Sequence, residues 1–484
     1  MRTAAHTLAL LALLALPAAA SPADLTKAER DAVKVAEKEL VGLAKYAARA
    51  RDYDAGIQAL ELGLEAWPDS DKLSKALDTL RKKAEKGGDP KDSYAEKLAA
   101  KTTDALHEVA LALADAAKST ESEAPERYDH YLRLIQTRFS DQDALDKLDL
   151  VYFAPYFQWV SRTEADLLEA GGERLDGKTL DAAAVEALNR KHASWKDPWI
   201  VSDDVHEVRT TVSLRRAKQI LAYVAAYRAY FLGRFGGLWD LQAPTGKLPI
   251  VVTETQADLR DQMQTYTGGQ GMSPGGGVQG AAFYMQTSGK LNPCFVTYEP
   301  MEATGRTFTI DKDDFTQLQI PLAHEVTHQI VFEYSKHDYD NRRQIQYHFW
   351  AVEAIANYMG YHAFDGIQWT LTHPRTIPMG SGMIEGPFAY CSNHANELPK
   401  IEDFMGLSHQ EFMTVENYHV AATLAYFLLE GEGGKYRKQF VKLLEAVHKV
   451  RDKADLFETC FPGVDRAAMQ REFTAFVKSL QLDG

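Results

Sequence analysis

Apolar residues recur at helical spacing through the first third of the chain. Between Thr26 and about Ser140 the sequence is rich in Ala, Leu, Lys and Glu, and apolar side chains return every three to four positions. This period places them on one face of a helix, so the region is predicted to form a series of amphipathic helices. The stretch KGGDPKD, from Lys86 to Asp92, predicts a break within this series.

One part of the helical region has a more specific pattern. The segment YDAGIQALELGLEAWPDSDKLSKAL combines small residues with a helix end at Trp67-Pro68 and an Asp-Ser cap before a second helix. It resembles a tetratricopeptide-type hairpin, but no convincing second copy follows at the interval of roughly 34 residues that such repeats keep. A structural bundle is therefore the simpler interpretation, and a module that binds a protein partner is the alternative.

The pattern changes along the middle of the chain. From Leu148 to Pro198 it is mixed and aromatic-rich, as in LVYFAPYFQWV, and we expect further helices there. Beyond about residue 200, the segments DDVHEVRTTVS, LPIVVTET, AAFYMQ and CFVTYEP predict strands, and helical patterns follow them. We therefore predict an α+β fold: a helical N-terminal domain over residues 21–200, then a domain with a small sheet and a mostly helical C-terminal half over residues 201–484.

The N-terminus has the pattern of a secretory signal. The segment MRTAAHTLALLALLALPAAASPADL contains Arg2, an apolar run from Leu8 to Leu16, and small residues that end at Ala20. The apolar run is shorter than the roughly 20 residues that a membrane span needs, and no later segment is long and apolar enough to span a bilayer. We therefore expect residues 1–20 to be removed, and the protein to be exported to the periplasm or the cell exterior without a membrane span.

Charge and cysteine content narrow the possible functions. The formal net charge is −14 and no Lys/Arg-rich run occurs, which argues against nucleic acid or an anionic membrane surface as a partner. The three cysteines, Cys294, Cys391 and Cys460, are too few for a structural zinc cluster. One disulfide among them is possible in an oxidising compartment, but the sequence does not decide its pairing. The default interpretation is that each cysteine packs in the protein core.

The segment PLAHEVTHQIVF contains the main candidate for chemistry. His324 and His328 are four residues apart, which places both imidazoles on one face of a helix, and Glu325 lies between them. Apolar residues around the pair predict that this helix is buried, and buried histidines need a partner or a metal ion. A catalytic zinc site uses three protein ligands and leaves a fourth position open, so a third ligand is required from elsewhere.

The segment FWAVEAIANYMGYH supplies a candidate for that third ligand. Glu353 follows His328 by 25 residues and lies among apolar residues of helical period, where a carboxylate needs a compensating partner. Asn357, one turn later, is predicted to reach back to a ligand histidine and fix its ring. His348, just before this stretch, is the rival ligand to consider.

HEVTH followed by WAVEAIANY resembles the gluzincin zinc metallopeptidases, whose second helix commonly reads W-x-x-E-G-x-A-x-Y. The likeness is greatest to the peptidase-MA-like exported bacterial proteins, and it extends over roughly residues 200 to 450. It implies that His324, His328 and Glu353 bind Zn²⁺ and that Glu325 is the general base. It also implies a tyrosine that stabilises the oxyanion, here Tyr418, with His419 as the alternative. This sequence departs from the family pattern at Ala354, where the family usually has glycine.

The resemblance implies an enzyme that hydrolyses peptides or proteins. Aminopeptidases of this group carry a glutamate in a Gly-x-Met-Glu-Asn segment, and the corresponding GGGVQGAAFYMQ has none, so an endopeptidase is preferred. By analogy, CFVTYEP is predicted to be an edge strand that pairs with an extended substrate. Two alternatives stay open: a helical binding or scaffold protein with an inactive peptidase-like domain, and a zinc hydrolase that acts on a non-peptide substrate.

Overall fold

Contacts within the chain divide it into two units. The first contains residues 25–154 and 158–170, and the second contains residues 155–157 and 171–483. The computed structural model of the chain describes residues 25–87, 91–139, 141–267, 280–284, 291–301, 309–335, 347–364, 368–379, 382–449 and 452–483. The predicted signal segment, residues 1–20, lies outside these residues. Among the described residues, no helix has the length and apolar character to cross a bilayer.

The first unit is mostly helical, as predicted. Its first helix packs against the next three, and its core is built from small and branched apolar residues such as Leu40, Leu60 and Leu113. The elements are α1 (Lys27–Ala50), α2 (Tyr53–Ala66), α3 (Asp71–Ala84), α4 (Ala95–Thr120), α5 (Pro125–Leu134), α6 (Gln142–Lys147), β1 (Leu150–Phe153), β2 (Gln158–Ser161) and α7 (Arg162–Glu169).

The predicted helical hairpin is formed by α2 and α3. Its first helix ends at Ala66, and the Ser70 side chain accepts a hydrogen bond from the Leu73 backbone at the start of the second. Close packing depends on glycine: a Cβ on Gly63 would lie 2.5 Å from Leu40 Cδ1. The small residues noted in the sequence therefore allow α2 to approach α1 closely.

The expectation of helices in LVYFAPYFQWV is wrong. Residues Leu150–Phe153 and Gln158–Ser161 pair as an antiparallel hairpin, β1 with β2. The β-branched and aromatic side chains of this segment favour extended backbone, and Pro155 lies in the turn. Positive φ angles at Asp149 (55°) and Phe157 (51°) are also incompatible with a continuing helix.

The second unit begins about 30 residues before the predicted domain boundary at residue 200. The reason is that residues 171–198 bond to elements that follow them. Buried Glu173 forms ion pairs with Arg215 and Lys218, at 3.3 and 3.0 Å. The Asn189 side chain accepts hydrogen bonds from Trp199 Nε1 and the Leu214 backbone.

A five-stranded mixed sheet supports the second unit. The elements up to the end of the sheet are β3 (Glu173–Leu175), β4 (Lys178–Leu180), α8 (Ala182–Lys191), β5 (Trp199–Ser202), β6 (His206–Thr210), α9 (Leu214–Phe235), β7 (Leu248–Thr253), α10 (Gln256–Thr267), β8 (Gly280–Tyr284) and β9 (Cys294–Met301). The strand order is β5-β6-β7-β9-β8, so the four predicted strands lie in one sheet with β5. The expectation that CFVTYEP is the edge strand is wrong, because β9 lies between β7 and β8. The edge strands among the described residues are β5 and β8, and β8 is antiparallel to β9.

Helices follow the sheet, as the α+β prediction requires. They and four short strands are α11 (Thr316–Tyr334), α12 (Phe349–Gly360), β10 (His362–Phe364), β11 (Trp369–Leu371), β12 (Thr376–Met379), β13 (Gly382–Glu385), α13 (Pro387–Asn393), α14 (Ile401–Met405), α15 (His409–Phe412), α16 (Val415–Glu430), α17 (Arg437–His448), α18 (Leu456–Cys460) and α19 (Arg466–Lys478). Here α11 packs on the sheet and on α12, and α12 packs on α16. The three cysteines are buried and unpaired, which agrees with a packing role.

Candidate metal centre

Two imidazoles on α11 point to one place. The Nε2 atoms of His324 and His328 are 3.1 Å apart, and their rings are nearly perpendicular, with centroids 4.7 Å apart. The i, i+4 spacing on a helix produces this arrangement. Both rings lie on the buried side of the helix, and the ring of His328 is the less exposed of the two, at 8%.

The neighbouring helix brings a carboxylate to the same place. Glu353 on α12 is 7% exposed; its Oε2 lies 3.3 Å from His324 Nε2, and its Oε1 lies 3.5 Å from His328 Nε2. Burial raises the pKa of this carboxyl, but the two imidazoles outweigh that effect and hold its pKa far below the usual range. The helices approach closely here, because Gly360 of α12 has no side chain to meet the backbone of Ile320.

These distances suit a metal ion. Three ligand atoms arranged tetrahedrally around zinc, at about 2.0–2.1 Å from it, are about 3.3–3.4 Å from one another. The two Nε2 atoms are 3.1 Å apart, and each lies at a similar distance from a different oxygen of Glu353, 3.3 Å for His324 and 3.5 Å for His328. His324, Glu325 and His328 also form a group that can hold a metal, with ligand atoms within 4.8 Å of one another. The shorter distances favour Glu353 over Glu325 as the third donor.

Glu325 lies beside this group in a fixed orientation. Its Oε1 is 3.8 Å from His324 Nε2, and its Oε2 accepts a hydrogen bond of 2.6 Å from the Tyr284 backbone N–H. Burial lowers the pKa of His324, but the charges of Glu325 and Glu353 outweigh it, and the pKa of His324 is raised. The sequence did not identify Tyr284 as part of the site; its only signal was its place within the predicted strand AAFYMQ.

Asn357 and Tyr418 lie next to the two helices. The Asn357 amide donates to the Glu353 carbonyl at 2.7 Å, and its hydrogen bond with the His324 side chain contributes to the raised pKa of that histidine. Tyr418, in the first turn of α16, has its ring centroid 6.5 Å from that of His324, and its hydroxyl contacts Met413 Sδ at 3.3 Å. Burial and the charges of Glu353 and Glu325 raise the pKa of the Tyr418 phenol.

Other histidines have structural partners. The rival ligand His348 bonds through Nδ1 to Asp452 Oδ1 at 2.6 Å, at the start of α12. The alternative oxyanion donor, His419, is buried against the ring of Tyr390, with centroids 5.1 Å apart. His362 packs between Tyr230 and Tyr358. These contacts account for their burial without a role in the metal group.

Buried polar contacts fix the two helices that carry the candidate ligands. On α11, the Gln329 amide donates to the carbonyls of Pro249 and Asn292, at 3.1 and 2.9 Å, and so ties the helix to the sheet. Behind α12, Arg234 donates to the Tyr358 hydroxyl at 2.6 Å and also bonds Glu430 of α16. No local sequence pattern indicates these contacts, because each joins residues far apart in the chain.

The site brings two imidazoles and two carboxylates together, with the ring of Tyr418 next to that of His324. Such a set can bind a divalent cation, accept a proton and donate a hydrogen bond to a developing negative charge. No protein-family model matches the chain, and no curated protein matches it either.

Proposed function

We propose that the second unit is a zinc-dependent peptidase, and that the chain is exported. The observation that carries this proposal is the convergence of His324, His328 and Glu353, with separations of 3.1–3.5 Å, beside a separately held Glu325. Two imidazoles and one carboxylate are the ligand set of a large class of zinc hydrolases. A purely structural metal site would not need a second carboxylate, such as Glu325, next to this ligand set.

His324, His328 and Glu353 are the residues that would hold the metal. When bound, the zinc ion would lower the pKa of a water molecule and polarise the scissile carbonyl. Glu325 accepts the proton of that water and passes it to the leaving amine. Its Oε1 is the oxygen suited to this role, because Oε2 is occupied by the Tyr284 N–H.

Tyr418 is the proposed donor to the oxyanion. Its ring is next to His324, and its hydroxyl contacts only a weak acceptor, the Met413 sulfur, among the hydrogen bonds found for it in the described residues. The raised pKa keeps the phenol protonated, which a donor requires. An endopeptidase is the preferred class, since the segment GGGVQGAAFYMQ, residues 275–286, carries no glutamate to bind a substrate amine.

Metal analysis and peptide digestion test the proposal together. Wild type and Glu325→Gln are both expected to bind one zinc per chain, whereas the variant loses about 100-fold or more in peptide hydrolysis. Glu416→Gln, at an exposed position on α16, is the matched control and should keep full activity. A wild type without zinc contradicts the proposal. Stoichiometric zinc without digestion of a broad peptide library favours a non-peptide substrate or a binding protein.

A further inference from the structure

A buried glutamate that the proposed mechanism does not use lies farther along α11. Glu333 is eight residues beyond Glu325 and 6% exposed. Its Oε1 accepts three hydrogen bonds: from the Tyr284 hydroxyl at 3.0 Å, the Asn292 backbone at 3.2 Å and the Asn292 side chain at 2.5 Å. A buried carboxylate is costly unless it is so bonded, so this arrangement holds both partners firmly.

Tyr284 connects this glutamate to Glu325. Its backbone N–H donates to Glu325 Oε2 at 2.6 Å, while its hydroxyl donates to Glu333 Oε1. Between the two, its ring stacks on Phe332 with centroids 5.5 Å apart and an interplanar angle of 16°. The last residue of the edge strand is therefore attached to α11 at both ends. We call Tyr284, Asn292 and Glu333 the tyrosine clamp.

We propose that Glu333 is a positioning residue for Glu325, and that it acts through the tyrosine clamp. By holding the Tyr284 phenol, it keeps the backbone N–H of that residue on Glu325 Oε2 and leaves Oε1 directed to the imidazole side. The inference rests on the proposed function, since it assigns a support to the general base. A displacement of about 1 Å in a reacting group can reduce a rate by about 100-fold, so such a support affects turnover.

A purely structural role for Glu333 predicts different behaviour. If Glu333 only joins β8 to α11, its loss lowers the unfolding temperature and disturbs substrate binding and turnover together. If the clamp orients Glu325, kcat falls while KM and zinc content stay near those of wild type. The two roles are therefore distinguished by separating kcat from KM at a temperature well below unfolding.

Four single variants of the full mature chain test the clamp. Tyr284→Phe removes the hydroxyl bond, and Glu333→Met removes the acceptor; each is expected to lower kcat by about 10-fold, with KM within about twofold. Glu333→Gln keeps a carbonyl oxygen as acceptor and should stay within about threefold of wild type. Tyr298→Phe is the matched control, because its buried hydroxyl in β9 has no hydrogen-bond partner among the described residues.

A double-mutant cycle tests whether the effect passes through Glu325. In Glu325→Asp the shorter side chain does not reach the Tyr284 N–H, so adding Tyr284→Phe should change kcat little further. Full additivity, unchanged kcat in both clamp variants, or a change confined to KM each overturns the inference. Failure of the proposed function is recognised separately, because wild type would then lack zinc or fail to digest peptides before any variant is compared.

Discussion

The hydroxyl of Tyr418 provides a test at the scale of one residue. If it donates to the oxyanion, Tyr418→Phe should lower kcat by about 100–1,000-fold and leave zinc binding unchanged, since no donor to the metal is removed. Tyr426→Phe, two turns later on the same helix, is the matched control, because its ring packs against Phe388 and Phe476. Steady-state kinetics on a peptide that wild type cleaves measures the effect. Equal activity of both variants would assign Tyr418 a packing role.

The choice between Glu353 and His348 as third ligand is a second test at this scale. Glu353→Gln should weaken zinc binding by more than the 10–100-fold that loss of an outer contact causes, because a direct donor is neutralised. His348→Gln should keep wild-type affinity, since His348 is bonded to Asp452. Competition with a chelator of known affinity measures both. Weaker zinc binding in His348→Gln than in Glu353→Gln would reverse the assignment.

Side-chain chemistry was the part of the site that the sequence could indicate. His324, His328 and Glu325 were indicated by spacing on one helix, and Glu353 by the unusual position of a carboxylate in an apolar stretch. The structure brings Glu353 to the two imidazoles. Tyr284 escaped notice because its backbone N–H makes the contact, and every residue except proline has one.

Glycine positions in the helical hairpin give a test at the scale of elements. Gly63→Ala should lower the free energy of unfolding by about 1–2 kcal/mol, because the new Cβ would lie 2.5 Å from Leu40 Cδ1 and 3.0 Å from Leu73 Cδ1. Gly42→Ala is the matched control: no atom lies within 4 Å of its Cβ position in α1, so stability should rise by about 0.5–1 kcal/mol. Denaturant unfolding followed by circular dichroism measures both. Stabilisation by both substitutions would contradict close packing of α1 and α2.

At this same scale, local patterns predicted most elements but not their pairing. The strands near residues 206, 248, 280 and 294 were predicted from short β-branched or aromatic runs. Their order in the sheet was not predicted: β9 lies inside the sheet and β8 at its edge. This order depends on contacts between segments that are distant in the sequence. The β1–β2 hairpin was missed because its apolar run fits a buried helix or a strand equally well by pattern alone.

At the scale of the whole molecule, the α+β class followed from the order of strand and helix patterns along the chain. The boundary between the two units could not be located as closely from the sequence, because it depends on which segments bond to each other. Glu173 links its segment to later parts of the chain through ion pairs with Arg215 and Lys218. No local sequence pattern indicates such a link. A domain boundary predicted from a change in the sequence pattern is therefore displaced wherever a segment packs against residues that follow it in the chain.

The pH dependence of folding is a whole-molecule property that one buried histidine should influence. Burial, with a contribution from Arg234, lowers the pKa of His362 to about 3, against 6.5 for a free imidazole. Between these values the unfolded chain binds a proton that the folded chain does not, so stability is full above about pH 6.5 and falls as the pH is lowered. The loss should be up to about 1.4 kcal/mol per pH unit.

Substitution of this histidine separates its contribution from that of the other titrating groups. His362→Gln keeps side-chain donors but cannot take up the proton, so its unfolding free energy should decline less steeply between pH 6 and pH 4 than that of wild type. His409→Gln removes an exposed imidazole and is the matched control. Denaturant titrations at each pH measure the slopes. Identical slopes for wild type and His362→Gln would mean that the His362 ring can become charged within the fold, because solvent or a counter-charge then reaches it without unfolding.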